Sequence, residues 1–152
     1  MSAWARVRHE LTAIVILTLL LLGMAMLSAP VASAAEPQLQ SNGAVDYISG
    51  GIGKDEADAL KQQSADYALT LEFASARSAE GDTRPGAYLA DVAVDIRDAQ
   101  GRQMLDTTSQ GPLLLVRLPP GDYTVQAEWN GVRKRHSVDL PEGARRHVVF
   151  MW

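Results

Sequence analysis

The chain has 152 residues, a formal net charge of −4 at pH 7, a hydrophobic fraction of 47% and no cysteine. Mild acidity argues against bulk nucleic-acid binding, which depends on neutralising phosphates. The lack of cysteine excludes disulfides and thiolate-ligated structural zinc, so the fold must rest on its hydrophobic core alone.

The first 35 residues are predicted to be a signal peptide. Two arginines precede an uncharged, mostly apolar run over residues 11–27, and the small-residue pattern Ala32-Ser33-Ala34 follows. This order is typical of a leader that is cleaved near Ala34 or Ala35. The alternative is an uncleaved anchor, because the run is about long enough to span a bilayer. We expect cleavage and a periplasmic protein with no membrane span afterwards.

The remainder, residues 36–152, is one domain's worth of chain. Removing the leader takes away two arginines and one glutamate, which leaves 12 basic and 17 acidic residues and a formal charge of −5. A chain of this length can bury one hydrophobic core but not two.

The first part of the mature chain is predicted to contain the only helix. Residues 36–46 are polar and are expected to be flexible or extended. The glycine-rich stretch 47–53 follows, and residues 55–67 show helical periodicity, with Leu60 and Tyr67 on one side. Acidic residues occupy the first turn, where the helix dipole favours negative charge.

The rest of the chain is predicted to form about seven strands, because alternating segments are separated by turn residues every 8–12 positions. Pro119-Pro120-Gly121-Asp122 ends one strand, and Asn130-Gly131 is a strong hairpin signal. Tyr123 is predicted to be a core residue or a corner tyrosine that bonds to the backbone. The predicted strands are 69–74, 88–97, 102–108, 113–118, 123–129, 132–140 and 146–152.

These patterns predict an all-β fold, an Ig-like or prealbumin-like β-sandwich with one short N-terminal helix. The segments Val92-Ala93-Val94-Asp95-Ile96-Arg97-Asp98-Ala99-Gln100-Gly101 and Leu118-Pro119-Pro120-Gly121-Asp122-Tyr123-Thr124-Val125 resemble the strand-and-turn patterns of carboxypeptidase regulatory-like domains. That resemblance implies a transthyretin-like, carbohydrate-binding-like fold over residues 47–152 and no common catalytic residue. The helix 55–67 departs from the simplest sandwich pattern. The front of the chain also resembles small exported proteins of Gram-negative bacteria, which implies a periplasmic location.

Two sequence patterns suggest a phosphate site and a calcium site, but a turn before a helix and cross-strand charge pairs explain them better. Gly50-Gly51-Ile52-Gly53-Lys54 precedes a helix, yet a phosphate loop would need glycine at Ile48 and a hydroxyl residue at Asp55. Four carboxylates suggest calcium, but they are spread over two strands and a turn beside arginines, so we expect cross-strand charge pairs. These carboxylates are Asp91, Asp95, Asp98 and Asp106.

The mature histidines, His136 and His147, fall on consecutive strands and could face each other. Two imidazoles without cysteine supply at most half of a zinc site. We therefore expect exposed polar positions, no metal site and no cofactor. No serine or threonine lies in a nucleophile pattern, so no catalytic residue is predicted.

Arg133-Lys134-Arg135 and Arg145-Arg146 are expected to form one basic edge, because their strands are consecutive, and with Trp129 they are the best candidates for a partner-binding surface. Positive charge on outer strands protects sheet edges from unwanted pairing. The alternative is a dock for an acidic partner or an anionic lipid or polysaccharide surface. Trp129, beside the Asn130-Gly131 turn, is the aromatic most expected to be exposed. The candidate partner-binding residues are Trp129, Arg133, Lys134, Arg135, Arg145 and Arg146.

The leading functional hypothesis is a non-enzymatic periplasmic module that contacts an envelope protein or a cell-wall glycan. One alternative is a structural sandwich that self-associates through a strand edge, for which the apolar strand at residues 113–116 is a candidate if it is not central. A less favoured alternative is an envelope hydrolase, since a fold alone does not exclude a grafted site.

Overall fold

The computed structural model describes residues 37–42, 44–76 and 87–152, and residues 35–152 form a compact unit. The predicted signal peptide and its cleavage site lie outside the described residues. Within them, no helix has the length and apolar character needed to cross a membrane.

Two sheets pack face to face, which confirms the all-β sandwich with one short helix. The five-stranded sheet has the order β1-β2-β6-β3-β9, and the four-stranded sheet has the order β5-β4-β7-β8. The strands are β1 Gln40–Ser41, β2 Asp46–Gly50, β3 Leu69–Ala74, β4 Val92–Asp98, β5 Gln103–Ser109, β6 Leu113–Val116, β7 Gly121–Trp129, β8 Val132–Leu140 and β9 Arg146–Met151.

The main core lies between the sheets and follows the alternation of the strands. In β3, Leu69, Leu71 and Phe73 are fully buried, while the intervening residues are only half-buried. Their counterparts on β4 are Val92 and Ile96, which are also fully buried. Period-two burial of this kind places one face of each sheet in the core.

Strand β6 is buried on both faces because the helix covers the outer side of its sheet. All four residues of β6 are buried. Leu113 and Leu115 form a second apolar cluster with Leu60 of the helix α1, Lys54–Gln63. This double burial explains the continuous apolar run. Since β6 pairs with β2 on one side and β3 on the other, it is central and offers no edge for self-association.

The turns follow their sequence signals. Asn130 and Gly131 both have positive φ, 47° and 76°, as the tight hairpin between β7 and β8 requires. Beyond the Pro-Pro-Gly turn, the Tyr123 hydroxyl donates a hydrogen bond of 2.8 Å to the Pro119 carbonyl, so the corner tyrosine is confirmed.

The described residues form nine strands where about seven were predicted, and the additional two are β1 and β2. The glycine-rich stretch forms β2, whose Tyr47 and Ile48 are buried against the sheet. Gln40 of β1 pairs with Tyr47. Tyr88 makes only an isolated bridge to Ala74, so the predicted strand 88–97 begins later, at Val92.

Candidate functional site

The outward side of the four-stranded sheet, here called the polar face, carries a continuous set of hydrogen-bonding side chains. Strand register places Asp106, Asp95, Gln126 and Arg135 in one row across all four strands. Because they lie on paired strands, their backbones are held rigidly, as suits a recognition surface. The residues that define the polar face are Asp95, Arg97, Gln103, Asp106, Gln126, Glu128, Arg133 and Arg135.

Two carboxylates of the polar face stand directly opposite each other. Asp95 and Asp106 are register partners on β4 and β5, an arrangement that is unfavourable for like charges. Arg97 offsets it with a two-point contact to Asp95, at 2.7 Å and 3.1 Å. The amide nitrogen of Gln103 donates to both carboxylates, at 2.6 Å to Asp95 and 3.2 Å to Asp106.

The polar face contains a shallow depression of about 270 Å³. It forms because Ala93 on β4 is small, while Glu128 and Arg133 rise beside it on β7 and β8. These two side chains form an ion pair of 2.7 Å and point from paired positions of the hairpin. The depression therefore has the small Ala93 at its base, with positively and negatively charged hydrogen-bonding side chains around it.

The predicted basic residues divide into two groups that the fold does not bring together as one patch. Arg133, Lys134 and Arg135 lie near the start of β8, whereas Arg145 and Arg146 lie at the start of β9. Arg146 reaches the Asp139 carbonyl, at 3.1 Å, near the far end of β8. Five strand positions separate Arg135 from that end, a distance of about 17 Å. In the first group, Arg133 and Arg135 lie on the polar face, whereas Lys134 lies on the other side of the sheet, with its Nζ 6.0 Å from the centre of the Trp152 ring.

Trp129 is half-buried rather than an exposed platform, which corrects the expectation from its place beside the turn. It sits on the inward side of β7 and packs on Trp152, with ring centroids 6.4 Å apart. Trp152 stacks on Phe150 and donates from Nε1 to the Val132 carbonyl, at 2.9 Å. This aromatic cluster closes one end of the core, so Trp129 has a packing role.

The two histidines do not face each other. His147 contacts Glu72 at 2.9 Å on the outer side of the five-stranded sheet. His136 packs edge-on against Phe150, with ring centroids 4.7 Å apart. They lie on strands of different sheets, because β8 and β9 are consecutive in sequence but do not pair with each other.

A backbone amide of the glycine-rich stretch before the helix is bound by a side chain of the helix itself. Helix α1 begins at Lys54, and Oε1 of Glu56 accepts a hydrogen bond of 3.0 Å from the Gly51 amide. A carboxylate at this position takes the place that an anion would use at a helix N-terminus.

Several pKa values are shifted from their usual range by the groups around them. Burial alone would raise the pKa of Asp98, but the amide and side chain of Arg102 and the amide of Gln100 together hold it below its usual value. Burial raises the pKa of Tyr123, and the nearby Asp98 charge adds to this. The ion pair of Lys54 with Asp58 on the helix raises the pKa of the lysine and lowers that of the aspartate.

Among residues 37–42, 44–76 and 87–152, no cluster of three or more histidine, aspartate or glutamate side chains is suited to a metal ion. Asp95 and Asp106, predicted to be solvated charge pairs, lie on the polar face beside Gln126 and Glu128, for which no role was predicted. A signal for the polar face was present in the sequence, since every second residue of β7 after Tyr123 is polar.

Comparisons with known proteins add little. No family model matches the chain, and no curated protein matches it. The solved structure described as "Crystal Structure of S.CueP" shares 15% identity at a TM-score of 0.38, over 53% of this chain and 59% of that chain. The match spans less than two thirds of that chain, and no function is inferred from a likeness at this level. The resemblance to carboxypeptidase regulatory-like domains therefore stays a prediction.

Proposed function

We propose that this protein is a non-enzymatic binding module of the periplasm, and that its polar face contacts an envelope protein or a cell-wall glycan. The observation that carries the proposal is the depression on the polar face, with carboxylate, amide and guanidinium groups from paired strands around it. The periplasmic part of the proposal rests on the predicted signal peptide.

Binding is favoured over catalysis because the charged groups of the polar face are engaged with one another. Asp95 is paired with Arg97, and Glu128 with Arg133, so these carboxylates are held by cations on the same face. Such groups orient a polar partner by hydrogen bonds, and a few placed polar groups are what fix orientation in a binding site.

A glycan and a protein partner are distinguished by a two-arm capture experiment with the compact unit, residues 35–152, as bait. One arm offers detergent-solubilised envelope and the other offers isolated cell-wall sacculi. We expect a reproducible protein partner in the first arm or retention on sacculi in the second, because both present polar groups to the face.

Two matched variants locate the surface. Gln126→Ala with Arg133→Ala alters the polar face, and the exposed Arg133–Glu128 pair contributes only about 0–1 kcal/mol to stability, so the fold is retained. Arg145→Ala with Arg146→Ala removes the distant basic group. Loss of binding in the first variant alone supports the proposed face. Loss in the second alone places binding elsewhere, and no capture in either arm contradicts the binding function.

A further inference from the structure

Strand β9 is an outer strand of the five-stranded sheet, and its backbone alternates between paired and outward-directed groups. Its neighbour is β3, which it pairs in parallel. The amides of Arg146 and Trp152 donate to the carbonyls of Ala68 and Ala74, at 2.8 Å and 3.0 Å. In a strand, the N–H and C=O of one residue point to the same side and alternate along the chain. The backbone groups of the odd-numbered residues 147, 149 and 151 are therefore directed away from β3.

The other outer strands in the described part of the chain carry features that discourage pairing. Strand β8 has three consecutive basic residues, β5 has Asp106 at its middle, and β1 is only two residues long. Charges and shortness are the ordinary means of protecting a sheet edge. Strand β9 has neither along residues 148–151, and its outward side chains Val149 and Met151 are 42% and 47% exposed.

The sequence of β9 is complementary to itself when two copies run antiparallel about Val149. In that register Val149 meets its counterpart, and His147 meets Met151 of the other copy. The three outward residues of each strand then form three hydrogen-bonded pairs with two backbone bonds each. Arg146 falls opposite Trp152, so no like charges meet, and Val149 of each copy lies diagonal to Met151 of the other, within reach of its long side chain.

We propose that a second copy of this chain pairs along β9, which joins the two five-stranded sheets into one continuous sheet with a two-fold axis at Val149. A self-complementary patch that contacts the same patch on its partner is the signature of a two-fold dimer. Strand β9 belongs to the sheet opposite the polar face, so this dimer and the proposed binding function stand or fall separately.

The association is expected to be weak, with a dissociation constant on the order of 10–100 μM, because pairing along a short strand buries less surface than a standard interface. Sedimentation of residues 35–152 over a range of concentrations measures it. Val149→Lys places two like charges across the two-fold axis, and we expect the dissociation constant to rise by about 100-fold. The matched control is Leu39→Lys, because Leu39 is 54% exposed and lies next to β1, at the opposite edge of the sheet from β9.

A second variant removes a hydrogen bond without adding charge. Val149→Pro deletes an amide that points away from β3, and proline is tolerated on an outer strand when its nitrogen faces outward. We expect this variant to be monomeric as well. A monomeric wild type at about 1 mM, or a Val149→Lys variant that associates as well as Leu39→Lys, would overturn the proposal.

Amide hydrogen exchange tests the pairing of β9 in the wild type, so it does not depend on a variant that folds. The amides of residues 148 and 150 are protected within the sheet at every concentration, since they point toward β3. We expect protection of His147, Val149 and Met151 to rise with protein concentration. Exchange at these three residues that is independent of concentration would refute the pairing.

Discussion

Replacing Tyr123 by phenylalanine tests the corner that joins β6 to β7. The ring is 6% exposed, and its hydroxyl donates 2.8 Å to the Pro119 carbonyl. Phenylalanine preserves the buried ring and removes only the hydrogen bond, so the change in the free energy of unfolding reports on that bond.

The expected loss at pH 7 is about 1 kcal/mol, the net contribution of a typical protein hydrogen bond. It is not larger, because Pro119 is exposed and water can reach its carbonyl once the hydroxyl is gone. With a urea dependence of about 1–2 kcal/mol per molar, the unfolding midpoint falls by about 0.5–1 M.

The same hydroxyl makes stability depend on alkaline pH. Burial raises the pKa of Tyr123 in the folded state, whereas the unfolded chain ionises near pH 10. A raised pKa contributes stability that is complete below the unfolded pKa and is lost as pH rises through the folded one. The advantage of the wild type over Tyr123→Phe should therefore shrink above about pH 10.

Urea unfolding of residues 35–152, followed by the fluorescence of Trp129 and Trp152, measures both effects. Tyr88→Phe is the matched control, because Tyr88 is 61% exposed and should show no change. Equal midpoints for the wild type and Tyr123→Phe at pH 7 would refute the hydrogen-bond argument. A gap that stays constant to about pH 11 would refute the pKa argument.

Three further predictions concern the packing and the turns. Leu60→Ala should lower the free energy of unfolding by about 2–5 kcal/mol, because Leu60 is fully buried between helix and sheet; a urea-measured loss under about 1 kcal/mol would contradict the helix as a cover. Gly111→Ala should cost about 1–3 kcal/mol in the same assay, because the added Cβ would overlap the Gly50 backbone, and an unchanged midpoint would disprove the close approach. Asp98→Asn should be less stable than the wild type at pH 7. Because the pKa of Asp98 is lowered in the folded state, the stability advantage of the wild type should fade as pH drops below about 4. A difference between the two urea midpoints that persists down to about pH 2 would contradict this prediction.

Local patterns were sufficient to predict several elements. The alternation of apolar residues placed β3 at Leu69–Ala74, and pairing across the Asn130-Gly131 turn placed β8 at Val132–Leu140, with the bounds that the structure shows. Asn130-Gly131 predicted its hairpin, because positive φ at both positions is a local requirement. The glycine-rich stretch before the helix gave no such signal, since glycine is depleted in strands, and its pairing in β2 depends on the partner strand β6.

The candidate sites were harder to predict because each depends on residues that are distant in sequence. The polar face combines Asp106, Asp95 and Gln126 through the register of three strands. Trp129 follows the inward alternation of β7, which overrides its position beside an exposed turn. The basic residues looked continuous in sequence order, but β8 and β9 run past each other on different sheets and separate them.

The sequence by itself determined the class of fold, the approximate strands and the chemistry of the turns, since alternation, proline and glycine act within a few residues. Only the tertiary structure decided the order of the strands, the burial of β6 beneath the helix and the exposure of β9 as an outer strand. The physical reason is that each strand's neighbours are selected by packing and register across the whole sheet. Which surface is concave, and which edge is open, are therefore properties of the assembled sandwich rather than of any one segment.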